Sequence, residues 1–95
     1  MSSVNYAEVI TKLIDRKADP KLSKQQVNNL IENILPFHDD CGFIAGKLIT
    51  DTAEFGLSLG DRACIATAIN YKFEIITSDK VWSKLDVPVK IHVIR

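Results

Sequence analysis

Residues 56–80 read GLSLGDRACIATAINYKFEIITSDK, and this stretch decides the fold. Gly56 stops what precedes it, Ser58 is a favourable helix N-cap, and Asp61 three residues on completes a capping-box-like start with negative charge in the first turn. Leu59, Ala63, Ala66 and Ile69 form a stripe in which the small residues let the helix lie close on a sheet, and Asn70 with Tyr71 and Lys72 ends it. The run Phe73-Glu74-Ile75-Ile76-Thr77 then reads as a strand, closed by Asp79. A capped helix feeding a strand through a tight connection is half of a parallel α/β unit, here with a carboxylate at each end. Ligands of open parallel sheets gather outside the carboxyl ends of the strands, so chemistry is expected at Asp79.

Working outward toward the N-terminus, Tyr6, Val9, Ile10, Leu13 and Ile14 fall on one helical face, with Asn5 as N-cap and Glu8 three residues later. A polar turn holding Pro20 leads to a second helix over about 24–33, where Ser23-Lys24-Gln25-Gln26 repeats the capping pattern before Val27, Leu30 and Ile31. Ile34-Leu35-Pro36-Phe37 carries a proline and suits an edge strand. His38 beside it reads as a loop or cap residue. Asp39 or Asp40 is expected to cap a third helix, in which Cys41, Ile44, Ala45, Leu48, Ile49, Thr52 and Phe55 keep helical spacing up to Gly56. Beyond Asp79, residues 80–85 are long enough for one or two helical turns that place Trp82 in the core or at its rim. Val89 to Ile94 alternates as a half-buried terminal strand, with His92 on the polar phase.

The 95 residues are read as a single domain, 46% hydrophobic and 25% charged, which is ordinary for a globular protein. Twelve Lys and Arg against twelve Asp and Glu give a net charge of +0, so the broad basic footprint of a dedicated nucleic-acid binder is missing and any such contact must be local or metal-assisted. The two cysteines, Cys41 and Cys64, sit in apolar helical patterns without metal-ligand spacing and read as buried free thiols in a reducing compartment. No apolar run approaches membrane-spanning length and nothing at the start resembles an export signal, so no membrane partner and a cytoplasmic location are expected.

Glu8 and Asp61 lie in first helical turns and Asp79 ends a strand, positions that share one side of a parallel α/β sheet. Convergent carboxylates repel one another unless a hard cation such as Mg²⁺ or Mn²⁺ holds them, and such an ion can orient a phosphodiester and activate water. The residues alone leave a second account open, because each of the three acids also serves as a cap.

Asn5-x-x-Glu8-Val9, the segment GLSLGDRAC at 56–64 and Ile76-Thr77-Ser78-Asp79-Lys80-Val81-Trp82 together resemble a PIN domain, in particular the toxin ribonucleases of bacterial type II toxin–antitoxin pairs known as VapC toxins. The likeness covers essentially the whole chain. It implies a three-layer α/β/α fold with a short parallel sheet, an RNA substrate, a bound Mg²⁺ or Mn²⁺ and an antitoxin protein as partner. Carried over position by position, Glu8, Asp61 and Asp79 are the catalytic and metal-holding acids, with Thr77 matching a hydroxyl residue beside the pocket; Asn5 and Thr77 are read as substrate-positioning, and Arg62 or Lys80 as either a phosphate contact or an exposed solvating charge. Family members usually begin with a strand ending in aspartate and then a helix. This chain starts at a later strand, so the implied fold lacks that first strand and helix and leaves two inner sheet edges unpaired. Self-association or a complementing fragment would relieve this. The resemblance therefore implies either an endoribonuclease or a catalytically silent remnant that binds protein.

Overall fold

A computed structural model describes residues 1–31 and 33–94. Among the described residues there are four α-helices, α1 (Ser3–Asp15), α2 (Pro20–Leu30), α3 (Asp39–Thr52) and α4 (Leu59–Tyr71). Two short strands, β1 (Ile75–Thr77) and β2 (Ile91–Val93), pair in parallel with Ile75 opposite Ile91 and Thr77 opposite Val93. A separate parallel bridge joins Ser2 to Leu35. The arrangement is α/β, as expected.

The helix caps differ from the sequence reading in three places, at α1, at α2 and at α3, where His38 and not Asp39 or Asp40 is the N-cap. Ser2, not Asn5, caps α1, its hydroxyl accepting the Val4 N–H at 3.2 Å. That frees Asn5 for a long-range contact. Asp19, not Ser23, caps α2 by accepting from Leu22 N at 2.9 Å, and Pro20 takes the first helical position, where its missing N–H costs nothing. Ser23 is instead buried within the helix. The sequence reading runs this helix to about 33, but it ends at Leu30, with Ile31 extended; residue 32 lies outside the described residues. His38 is the cap of α3, its Nδ1 accepting from Asp40 N, and Gly56 closes the following 3₁₀ turn (Ala53–Phe55) in the left-handed region at φ 63°.

The helix α4 is the centre of the core. Ile65 and Ala66 are fully buried and pack with Leu48 and Ala45 of α3, Ile75 of β1 and Trp82. The expected apolar stripe is corrected in one respect: Leu59 is exposed, while Gly60, Ala63, Ile65, Ala66, Thr67 and Ala68 are buried. Burial on several faces follows from the small residues, which admit α1, α3 and β1 to the same helix. Both strands are shorter than expected. Lys72 adopts φ 62° and the Phe73 N–H bonds back to Ala68 O, so Phe73 finishes the helix and cannot join the ladder. Val89 likewise closes a tight turn onto Val87 O at 2.8 Å. The edge strand expected at 34–37 contributes the single bridge at Leu35.

Candidate active site at the start of α4

The capping box read from the sequence is complete in the structure. Ser58 Oγ accepts from Asp61 N at 3.1 Å and Asp61 Oδ2 accepts from Ser58 N at 3.2 Å. This fixes the entry angle of α4 and holds the Asp61 carboxylate at a helix N-terminus, where the macrodipole favours negative charge.

Glu8 reaches the same place from 52 positions away in the chain. A Cβ built on Gly60 would lie 2.7 Å from Glu8 Oε1 and 2.8 Å from Cδ, so the carboxylate occupies the space a side chain would fill. Asn5 locks this approach. Its Nδ2 donates to Glu8 Oε1 at 3.0 Å and to Gly60 O at 3.0 Å, joining α1 to the first turn of α4. Asn5 Oδ1 is buried and has no hydrogen-bond partner among the described residues. Both carboxylates act on the thiol of Cys64, one turn along α4. Burial first, then the Asp61 charge, then more weakly Glu8, push that thiol up, against a small opposing pull from the N-terminal amine.

Asp79 stands at the carboxyl end of β1, as the sequence predicts, and its Oδ1 accepts from Val81 N at 3.0 Å to cap the 3₁₀ turn Lys80–Lys84. Thr77 braces it, with the Thr77 hydroxyl accepting from Asp79 N at 3.1 Å. Arg62 turns inward, its Nη1 donating to the Ala45 carbonyl of α3 at 2.8 Å. Among the described residues, no group of three or more His, Cys, Asp or Glu side chains stands together in a way that could hold a metal ion. The structure therefore brings two of the three predicted acids to one helix start and shows no cage containing all three.

The donor set and space at this start suit a hard, largely hydrated divalent ion. Carboxylate oxygens are the ligands Mg²⁺ prefers, one or two of them suffice when water fills the remaining positions, and the absent Cβ at Gly60 is what leaves room for Glu8. Gly60 is the functional residue that sequence reasoning passed over. Its signal was available, because glycine is costly inside a helix and the second helical position here carries one.

Two comparisons with known proteins bear on this geometry. The PIN domain family model matches residues 1–88. No curated protein matches the chain.

Proposed function

The chain belongs to the PIN-domain family, and from that membership we propose that it is a divalent-metal-dependent endoribonuclease serving as the toxin of a toxin–antitoxin pair. Family membership carries a nuclease-type function on RNA or DNA, generally dependent on a divalent metal. The narrower choice of RNA, and of an antitoxin protein as partner, rests on the resemblance of the GLSLGDRAC and TSDKVW segments to the toxin ribonucleases.

The single observation that carries the proposal is the placement of the Glu8 carboxylate on Gly60, the residue before Asp61 in the first turn of α4. Glu8 and Asp61 are proposed to hold Mg²⁺ or Mn²⁺. When bound, such an ion offsets phosphate charge and lowers the pKa of water. Asn5 keeps Glu8 in position through its hydrogen bond to Oε1, and the Ser58 N–H does the same for Asp61. Asp79 is proposed as the third acid, on the strand side of the site, with Thr77 setting its backbone. Arg62 supports the site indirectly by tying α4 to α3. The three-layer arrangement is part of the same proposal.

The test is cleavage of RNA across an Mg²⁺ titration, comparing the chain with its Asp61→Asn variant. Asparagine keeps an acceptor for Ser58 N–H, so the helix start survives while the charge is removed. Metal-dependent cleavage lost in the variant supports the proposal; equal cleavage by both, or none by either, removes it. One observation favours a second reading, a catalytically silent protein-binding module: no group of three acids is gathered among the described residues. Under that reading neither form cleaves at any Mg²⁺ concentration.

A further inference from the structure

A groove of about 600 Å³ runs along one flank of α1 and meets the candidate site at Glu8. Its wall is the stripe Ser3, Ala7, Glu8, Thr11 and Lys12, which share one helical face, and Phe37 closes it from the segment after Leu35. The groove opens past the carboxyl end of a parallel pairing. Ser2 bridges to Leu35, and just beyond that bridge the Phe37 N–H donates to Ser3 Oγ at 3.0 Å. Ligands of parallel sheets gather at such ends. Glu8 belongs to both places, since its carboxylate lies against Gly60 while the residue also lines the groove.

Glu8 and Lys12 are the charged residues of the lining. Lys12 stands four positions after Glu8, the order that favours an ion pair on a helix, yet no pair between them forms among the described residues. The cause is local. Asn5 Nδ2 holds Glu8 Oε1 at 3.0 Å and the carboxylate lies over Gly60, so it is drawn to α4. Lys12 is left as an exposed cation one turn from a proposed metal ligand, about 6 Å along the helix axis. Thr11 offers a ligand little, because its hydroxyl donates to Ala7 O at 2.7 Å. Phe37 is half-buried: it packs against the core and still lines the groove. What the groove presents is therefore a free cation and part of an aromatic ring, side by side with the acids.

We propose that this groove is the subsite for a nucleotide next to the scissile phosphate of single-stranded RNA, with Lys12 holding a backbone phosphate and Phe37 stacking on the base. The inference rests on the nuclease reading of Glu8 and Asp61. A net charge of +0 leaves no broad basic surface, so RNA must be held by a few local contacts, and a cation beside a ring holds a strand without reading its sequence. The separation of Lys12 from Glu8 is comparable with the step between successive phosphates of an extended strand. The charge of Glu8 does not oppose this, because a bound divalent ion offsets it. A base paired in a duplex has no free face for Phe37, so the subsite takes unpaired RNA. An apolar peptide fits less well: it would cover the ring but bury Glu8 and Lys12 without partners.

The probe is a fluorescein-labelled single-stranded RNA of eight nucleotides, titrated into the chain with Ca²⁺ in place of Mg²⁺ and its length checked on a denaturing gel. Saturable binding, read by anisotropy, is expected. Lys12→Gln should weaken it severalfold and flatten the slope of log affinity against log salt by about 0.7, the value of one phosphate contact on a single strand. Lys12→Arg should restore both. A lysine that only favours the end of its helix would leave that slope unchanged. Phe37→Leu should weaken binding about fivefold or more, while Phe37→Tyr, which keeps the ring, stays near the parent. Should Phe37→Leu fail to fold, the exposed Lys12 decides the matter. With Mg²⁺, both weakening variants should raise KM for cleavage far more than they lower kcat. Cleavage with KM and affinity unchanged in both variants overturns the subsite and leaves the nuclease reading standing. Binding that responds as expected, with no cleavage at any Mg²⁺ concentration, removes the nuclease reading and leaves the groove as an RNA site. Absence of RNA binding by the parent, or an unaltered salt slope in Lys12→Gln, overturns the proposal.

Discussion

Replacing Gly60 by alanine separates the stability of this molecule from its proposed activity. The added methyl would stand 2.7 Å from Glu8 Oε1, far inside contact distance, so one of the two must move. The backbone of Gly60 lies in a helix that alanine adopts readily, and the obstructing atoms are the far end of a flexible side chain, so Glu8 moves. The stability terms oppose each other. Alanine gains at most about 1 kcal/mol over glycine within a helix. Losing the hydrogen bond from Asn5 to Glu8 costs about 0.5–1.5 kcal/mol. The net change is within about 1 kcal/mol, corresponding to a shift of less than about 8 °C in Tm for a domain this small. Displacing a carboxylate from beside Asp61 should, by contrast, weaken divalent binding by roughly 10- to 100-fold, the range seen when groups that orient metal ligands are removed. Thermal unfolding monitored by circular dichroism and Mn²⁺ binding monitored by calorimetry measure the two quantities on one sample. A variant that keeps its Mn²⁺ affinity refutes the placement of Glu8 in the site. One that loses more than about 2 kcal/mol of stability shows that Glu8 does not yield and that the clash reaches the helix itself.

Four further outcomes follow from the same geometry. Ser58→Ala removes the acceptor for Asp61 N and should cost about 1 kcal/mol in urea unfolding; no change would mean the capping box contributes nothing. Asp79→Ala should destabilise by about 0.5–1 kcal/mol through the lost Val81 cap while Asp79→Asn stays near the parent, and equal losses in both would refute capping as the cause. Ile65→Ala, at a fully buried position between α3 and β1, should cost about 2–5 kcal/mol, and a loss under 1 kcal/mol would show that the core closes over the gap. The hydrogen bond from His92, and after it the charge of that ring, hold the exposed Glu74 carboxyl below its ordinary range. A depressed folded-state value stabilises above the unfolded-state value and is lost as pH falls through the folded one. An NMR titration of Glu74 should therefore move up toward an ordinary carboxylate in His92→Ala, and an unmoved midpoint would deny the pairing.

Local chemistry was legible in the sequence wherever neighbours along the chain settle it. Ser58 and Asp61 stand three apart and form both bonds of the capping box; both cysteines are free thiols, Cys41 buried and Cys64 half-buried. Legibility failed where two local solutions competed. Ser23-Lys24-Gln25-Gln26 resembles a helix start, yet Asp19 and Pro20 provide an earlier one, so Ser23 is inside the helix and buried. Asn5 resembles a cap, yet Ser2 takes that role and Asn5 Nδ2 reaches Gly60 O, 55 positions away. No periodicity reports a contact of that separation. The nearness of Glu8 to Asp61 could be anticipated only from the rule that helix starts share one side of a parallel sheet, or from family resemblance. The gathering of Asp79 with them is not visible among the described residues.

Under the proposed function the start of α4 satisfies two demands with the same atoms, which would account for its small and acidic residues. A helix N-terminus needs anionic acceptors for its unpaired N–H groups, and a site for a hard cation needs carboxylates held close against their mutual repulsion. Asp61 meets the first demand through Ser58 N and offers the second its remaining oxygen, while Glu8 contributes charge from α1 without a cap to form. Two carboxylates so placed are tolerated without a cation because the helix N-terminus and Asn5 Nδ2 already compensate part of their charge. Gly60 is the condition for this: any side chain there would favour the helix and expel Glu8.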